Sequence, residues 1–359
     1  MCIRDRTIAE SNRIYQKPIS PVRGFIYDRN GTLLAENIVQ RDLYVTPAYI
    51  EDSAETILKL SNLLDVPYEL LDENFSRGVK KVKKFDSFPL VKALNEEQIA
   101  KAKVNLDSIS GIEVKATLKR YVLHEETLAH VLGYVGDISS GDIRRDKLLA
   151  ELQNTQIGKT GIEKEFDYVL RGKPGIQTQE RDVKGKLVRI LDTQGAEDGK
   201  DIYLTIDQKL QDHLFKLFEN RRGALVALEP KTGLVRALIS SPSFNPNILN
   251  SIVDTDEVES LFSNKESPIF NRAISGQYPP ASTLKPFVGL AAIENEVISW
   301  DKKIKDDGEF YVEGDPRPYR GWKENGHGRV DMRKAIAESS DVYFYTCLLY
   351  TSPSPRDPK

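Results

Sequence analysis

The stretch that decides the reading is YPPASTLKPF, Tyr278 to Phe287. A proline turn leads into Ser282-Thr283-Leu284-Lys285, a Ser-x-x-Lys arrangement. If Ser282 opens a helix, Lys285 lies one turn on and on the same face, its amine within reach of the hydroxyl. A serine hydroxyl is a poor nucleophile until a neighbouring base takes its proton. A lysine can be that base if desolvation and nearby positive potential lower its pKa. The helix N-terminus supplies such potential, together with backbone N–H groups for an oxyanion.

Alone, Ser-x-x-Lys is a weak signal, since about one chance match is expected in a chain of this length. Ser299-Trp300-Asp301-Lys302 is such a match, at what reads as a helix end and without the proline turn. The Ser282 copy gains weight from Ser339-Ser340-Asp341, which begins 57 residues after it in a stretch that reads as helix then turn. A second serine near the lysine can relay a proton to a leaving amine. An acid two residues on can orient that group and the substrate backbone. A serine pair at a helix end otherwise usually just caps it.

Outward from there the texture is mixed. Gly223 to Glu229 and Leu234 to Ser240 read as two strands joined by Pro230-Lys231-Thr232-Gly233, a hairpin. Before them, Ile202, Leu204 and Ile206 alternate as in a strand, Thr205 with Gln208 suggests a capping box, and Leu210, Leu214, Leu217 and Phe218 recur at helical spacing. One helix followed by antiparallel strands predicts an α+β sheet domain. A glycine-rich, charged stretch at about Asp192 to Lys200 marks the main boundary. Upstream, residues 51–105 read as amphipathic helix, and the run Lys80, Lys81, Lys83 and Lys84 as a solvated face. RGFIYDRNG, Arg23 to Gly31, reads as strand, turn, strand, and residues 7–17 carry a polar, helix-compatible pattern.

The 359 residues have a net charge of −3, with 51 basic residues against 54 acidic ones, which gives no reason to expect a nucleic-acid partner. No run of about 18 apolar residues is present, and no secretory signal pattern opens the chain. The two cysteines, Cys2 and Cys347, both fall in anomalous terminal stretches: residues 1–6, and 347–359, where Pro353, Pro355 and Pro358 interrupt an apolar helix. Both are read as sequence scars. Without them no disulfide framework or thiolate metal site remains.

RGFIYDRNG with LLAEN after it, LAHVLGYVG, IGKTGIEKEFD, GALVALEPKTG, YPPASTLKPF and NGHGRVDMRKAIAESSDVYFY together resemble class B penicillin-binding proteins of the penicillin-binding protein 2 type. The resemblance spans about residues 10–346. Reading Ser-x-Asp rather than Ser-x-Asn is similar to that branch and less like the division-specific transpeptidase. Ser-x-x-Lys, Ser-Asp-Asn and Lys-Thr-Gly are the signature of penicillin-binding proteins and β-lactamases.

The resemblance implies Ser282 as acylated nucleophile, Lys285 as general base, and Ser339 with Asp341 as second motif. It implies an elongated, non-catalytic pedestal or dimerisation domain at 7–195, with Arg23, Gly24, Asp28 and Gly31 structural within it. A penicillin-binding or β-lactamase-like transpeptidase domain would follow at 196–346. The third motif belongs on a sheet-edge strand well after the second. Lys159-Thr160-Gly161 and Lys231-Thr232-Gly233 both precede it and are read as decoys. The transpeptidase domain is therefore expected to be incomplete, with the authentic sequence ending near Thr346, its second half poorly folded and the chain inactive.

Some relatives hold a structural zinc near the second motif through a cysteine between its serine and acid. Ser340 stands there, Gly321 stands where a further ligand is expected, and His327 is read as a loop residue, so no metal or cofactor is expected. His124, His130 and His213 are read as surface or packing residues. Implied partners are peptidoglycan stem peptides, β-lactams, a membrane glycosyltransferase and an elongation scaffold protein. The implied location is the outer side of the cytoplasmic membrane, with a single upstream anchor helix. Two rival readings are a carboxypeptidase or β-lactamase of the same fold, against which the long pedestal argues, and a partner-docking platform without catalysis.

Overall fold

The computed structural model describes residues 14–351, apart from 81, 83, 106–108, 148, 150–155, 183–186, 220, 251–254 and 313. The chain forms two compact units, Met1–Gly276 and Gln277–Lys359.

The first unit is organised by one long strand, β3 (Leu33–Val45), which follows β1 (Ile14–Ile19) and β2 (Ile26–Tyr27). The turn before β3 is built by Asp28, which is 1% exposed and accepts the N–H groups of Asn30 and Thr32, and by Gly31 at φ +82°. Burial alone would raise the Asp28 carboxyl, but the backbone N–H groups of Thr32, Gln208 and Asn30 hold it below its ordinary value. One edge of β3 pairs along its length with β5 (Ile112–Val122). The other pairs with β2 at its start and with β4 (Phe88–Val91) at its end.

The two ends of β3 serve two cores. Leu34 and Ala35 pack with Ile26, Val122, Leu128 and Leu170, whereas Leu43 and Val45 pack with Ile57, Leu60, Leu71 and Phe88. Ile38 and Val39 between them are exposed. Helices α1 (Ser53–Leu64), α2 (Tyr68–Val79) and α3 (Glu96–Asn105) cover the second core. The expected helical run through 51–105 is thus interrupted by β4, because Phe88, Leu90 and Val91 are buried on a strand that completes the sheet. Lys81 and Lys83 of the basic run lie outside the described residues; Lys80 and Lys84 are exposed.

A short antiparallel pair, β6 (Val135–Asp137) with β7 (Gln156–Gly158), follows β5. Ile14 to Lys17, expected to be helical, are strand: β1 pairs antiparallel with β8 (Gly175–Arg181), which pairs in turn with β9 (Leu187–Gln194). The segment has no apolar stripe to bury as a helix, and the β8 ladder satisfies its backbone instead. The rest of residues 7–17 lies outside the described residues.

Arg23 donates to Glu163 and Asp167, and Arg120 donates to the same Glu163, which is fully buried. Gly24 has no room for a Cβ, which would stand 2.1 Å from the Lys200 carbonyl oxygen. That close approach lets β10 (Ile202–Tyr203) run parallel to β2. The strand expected after the boundary therefore adds to the sheet of the first unit.

Helix α4 (Glu125–Leu132) ends at Gly133, and α5 (Gln208–Leu217) is capped by Asp207, whose side chain accepts the Leu210 N–H. The capping box expected between Thr205 and Gln208 does not form. The Thr205 hydroxyl donates to the Val235 carbonyl, and Gln208 reaches Asp212. The hairpin is present as β11 (Gly223–Leu228) and β12 (Val235–Ser241), with the Lys231 decoy at its tip. The Lys159 decoy precedes a short helix, Gly161–Glu165, and its amine is paired with Asp142.

The second unit holds α6 (Lys285–Glu294), two strand pairs and the helices α7 (Met332–Ala337) and α8 (Asp341–Thr351). The strand pairs are β13 (Ile304–Asp306) with β16 (Gly328–Val330) and β14 (Glu309–Phe310) with β15 (Tyr319–Arg320). Its core is Ala292, Val330, Met332, Tyr343, Phe344 and Cys347. Helix α8 continues through Cys347 to Thr351, beyond the point where the sequence reading ends it, and Cys347 is fully buried. Residues 1–6 and the three terminal prolines lie outside the described residues.

Candidate active site

All four candidate residues fall in the second unit, and they converge. Pro280 leads into a 3-10 turn, Ala281–Leu284, with Lys285 as the first residue of α6. Ser282 thus stands on the tight turn before the α-helix rather than within it. Ala281 is left-handed at φ +49° and so is Ser339 at φ +56°. For non-glycine residues this costs about 1–3 kcal/mol each, and such strain collects at functional sites. The Ser339 kink ends α7 and lets α8 restart at Asp341.

Lys285 joins the two motifs. Its Nζ donates to the Ser339 carbonyl oxygen at 2.8 Å, to Ser339 Oγ at 2.9 Å and to Asp341 Oδ1 at 2.6 Å. Ser339 Oγ donates in turn to Ser282 Oγ at 2.9 Å. The hydrogen-bonded route from lysine to Ser282 therefore runs through Ser339. Ser282 itself is exposed, whereas the Lys285 side chain is only 13% exposed. The amine also lies 5.9 Å from the centre of the Phe344 ring.

This relay can carry a proton in either direction. In one polarity, Ser339 offers its hydrogen toward Ser282 while Lys285 offers one to Ser339. Turned round, the same three groups draw a proton from Ser282 toward a neutral amine. An exposed hydroxyl at one end and a sheltered amine at the other is an arrangement suited to acyl transfer. The competing Ser299 lies in a loop after α6, with the Lys302 N–H on the Ser299 carbonyl, and takes no part.

Several site-supporting residues escaped the sequence reading. Asp341 Oδ2 accepts the Trp322 N–H at 3.1 Å, and the Trp322 indole donates to the Glu338 carbonyl. Asp306 accepts the Ser340 hydroxyl at 2.5 Å. Its only signal was the turn chemistry of Asp306-Asp307-Gly308, which predicts a loop and no more.

The donors present do not fit the zinc that the resemblance raises. Ser340 offers a hydroxyl already given to Asp306, His327 Nδ1 faces Glu338 Oε2 at 2.9 Å, and Gly321 brings no side chain. Without a thiolate, with the Ser340 hydroxyl on Asp306 and no side chain at Gly321, they lack the four-ligand set of a structural zinc. Among the described residues no group of three or more His, Cys, Asp or Glu is placed to hold a metal. His130 is buried, His124 faces Asp212 and His213 is exposed.

Residues 18–204 match the penicillin-binding protein dimerisation domain, and residues 223–353 match the penicillin-binding protein transpeptidase domain. The peptidoglycan D,D-transpeptidase MrdA of Acinetobacter baumannii is 38% identical over 340 residues, covering 94% of this chain and 50% of that protein. MrdA of Escherichia coli is 36% identical over 347 residues, covering 95% and 54%. The chain thus spans about half the length of the curated relatives it matches. Among solved structures, the complex of penicillin-binding protein 2 with MreC from Helicobacter pylori superposes with a TM-score of 0.80 at 29% identity, covering 92% of this chain and 62% of that one. Pseudomonas aeruginosa PBP2 in complex with WCK 5153 gives 0.64 at 27% identity, covering 94% and 54%. The order of the two domain matches agrees with the expected α+β organisation.

Proposed function

As the chain belongs to the penicillin-binding proteins that carry a dimerisation domain followed by a transpeptidase domain, we propose that it acts through Ser282 as a peptidoglycan D,D-transpeptidase. The observation that carries this is the hydrogen-bonded series Ser282–Ser339–Lys285, with Asp341 on the same amine. Ser282 Oγ attacks the penultimate D-alanyl carbonyl of a stem peptide, and its proton passes through Ser339 to a neutral Lys285. Return of a proton through Ser339 releases D-alanine. An amine of a neighbouring strand then resolves the acyl-serine and forms the cross-link. β-Lactams, which mimic the D-alanyl-D-alanine end, acylate the same oxygen.

No Lys-Thr-Gly follows Ser339 in these 359 residues. The domain division we propose is 7–195 for the pedestal and 196–346 for the transpeptidase part. We place the whole protein at the cytoplasmic membrane with its catalytic part outside; among the described residues no helix is long and apolar enough to cross a membrane. The MreC complex of the H. pylori protein supports a scaffold partner, and a membrane glycosyltransferase is proposed as a second.

Covalent labelling with a fluorescent penicillin, beside a Ser282→Ala control, tests the nucleophile. Labelling that disappears in the control supports it. Labelling that persists in Ser282→Ala overturns it.

A further inference from the structure

The second motif is braced from beneath by a buried carboxylate. Asp306 closes β13 and is 2% exposed. Its Oδ1 accepts the Gly308 N–H at 2.9 Å and its Oδ2 accepts the Ser340 hydroxyl at 2.5 Å. Ser340 is fully buried. Its N–H donates to the Ala335 carbonyl at 3.0 Å, and its Oγ accepts the Tyr343 N–H at 3.2 Å. One serine side chain and its amide thus join the end of α7, the first turn of α8 and the end of β13.

The residues on either side of Ser340 are those that hold the lysine amine, Ser339 and Asp341. Ser339 is also in a left-handed conformation, which persists only where the surroundings over-determine it. Burying a carboxylate is costly, and apolar packing of the same volume would serve stability as well or better. What the hydrogen bond supplies is a fixed geometry. The same serine occupies the place where the resemblance expects a zinc-binding cysteine.

We propose that Asp306 and Ser340 are positioning residues for Ser339, Asp341 and Lys285, and that in this chain their hydrogen bond holds the second motif in place without a metal. The inference deepens the reading of that site and rests on it. Without the Ser340 hydroxyl, the Asp306 carboxylate loses its fixed partner, the α7–α8 kink relaxes, and Lys285 loses its three simultaneous acceptors.

The test uses the whole 359-residue chain and needs no penicillin, so it fails separately from the nucleophile assignment. Purified wild-type chain is exposed to limiting acetic anhydride, and modification is read peptide by peptide by mass spectrometry. Zinc is measured by elemental analysis after equilibration with excess zinc and desalting. In Ser340→Ala, acetylation of Lys285 relative to Lys302 and Lys323 should rise roughly tenfold, the size of one charge-assisted hydrogen bond. Reaction of Cys347, buried in the same core, with a thiol reagent should stay as slow as in the wild type. Asp306→Asn, which keeps the shape and removes the charge, should shift Lys285 in the same direction and serves if the serine variant does not fold. Unchanged Lys285 in both variants overturns the proposal. So does a joint rise of Lys285 and Cys347, which would mean general opening of the core. One equivalent of zinc on the wild-type chain overturns the metal-free part.

Discussion

Lys285 is the residue on which both motifs depend. Its amine makes three short contacts to groups 54 and 56 residues further on. Lys285→Ala should lower the second-order rate of penicillin acylation by about 10²–10⁴, the usual contribution of a positioned proton-transfer group. A time course of gel fluorescence checks it, and a rate within threefold of wild type would remove the lysine from the mechanism. Ser282 and Lys285 could be singled out in advance by their three-residue spacing, but the amine reaches Ser282 only through Ser339, which that spacing does not show. Ser339 and Asp341 could be read only with the family pattern beside them. Asp306 could not be read at all. It lies 34 residues before Ser340, and nothing local marks an acid as a brace rather than a turn residue.

Elements were legible where burial and periodicity agreed. The hairpin β11–β12 follows from two alternating runs and a Pro-Lys-Thr-Gly turn. Helix α5 shows where the pattern misleads. Leu210 and Leu217 look like its core stripe, yet they are 37% and 54% exposed, while Gln208 and Gln211 are buried. Gln211 earns that position by donating to the carbonyls of Thr127 and Leu238 and accepting the Leu238 N–H. Hydrogen bonding to neighbouring backbone outweighs hydropathy there. Its N-terminus was misread for a related reason: Thr205 spends its hydroxyl on Val235, leaving Asp207 to cap the helix. Asp207→Ala should therefore cost about 1 kcal/mol of stability, as loss of an N-cap does, measured by urea unfolding. Thr205→Val leaves the cap intact; if it instead abolished α5 capping, the assignment would be wrong.

At the scale of the whole molecule, the α+β composition and the order of its parts were legible from scattered family stretches. Which residues pack together was less so, because strands pair across long gaps in sequence. Acid sensitivity was not legible, since it comes from burial. His130 is 7% exposed, packs edge-on against Phe244, and is pushed by burial down to about 4. The unfolded chain binds this proton near pH 6.5, so between about pH 6.5 and 4 the unfolded state holds more protons than the folded one. Stability should fall as pH drops through that window, by up to about 3 kcal/mol from this group, and level off below it. Comparing urea midpoints of wild type and His130→Leu from pH 4 to 7 isolates the effect. A difference between the two that does not change with pH would sink it.

The pairing of β10 with β2 also dictates an order in time. Ile26 meets Ile202, and Tyr27 stacks on Tyr203 at 4.9 Å, 176 residues downstream. A ribosome adding 5–20 residues per second needs roughly 10–35 s to make that interval. Throughout it, the outer edge of β2 has no strand to meet and the pocket above Gly24 has no Lys200 to fill it. The sheet that begins at Ile26 thus gains its last strand only when residues 202 and 203 have been made. A newborn chain must be kept from joining that edge to a neighbour until residue 203 has emerged.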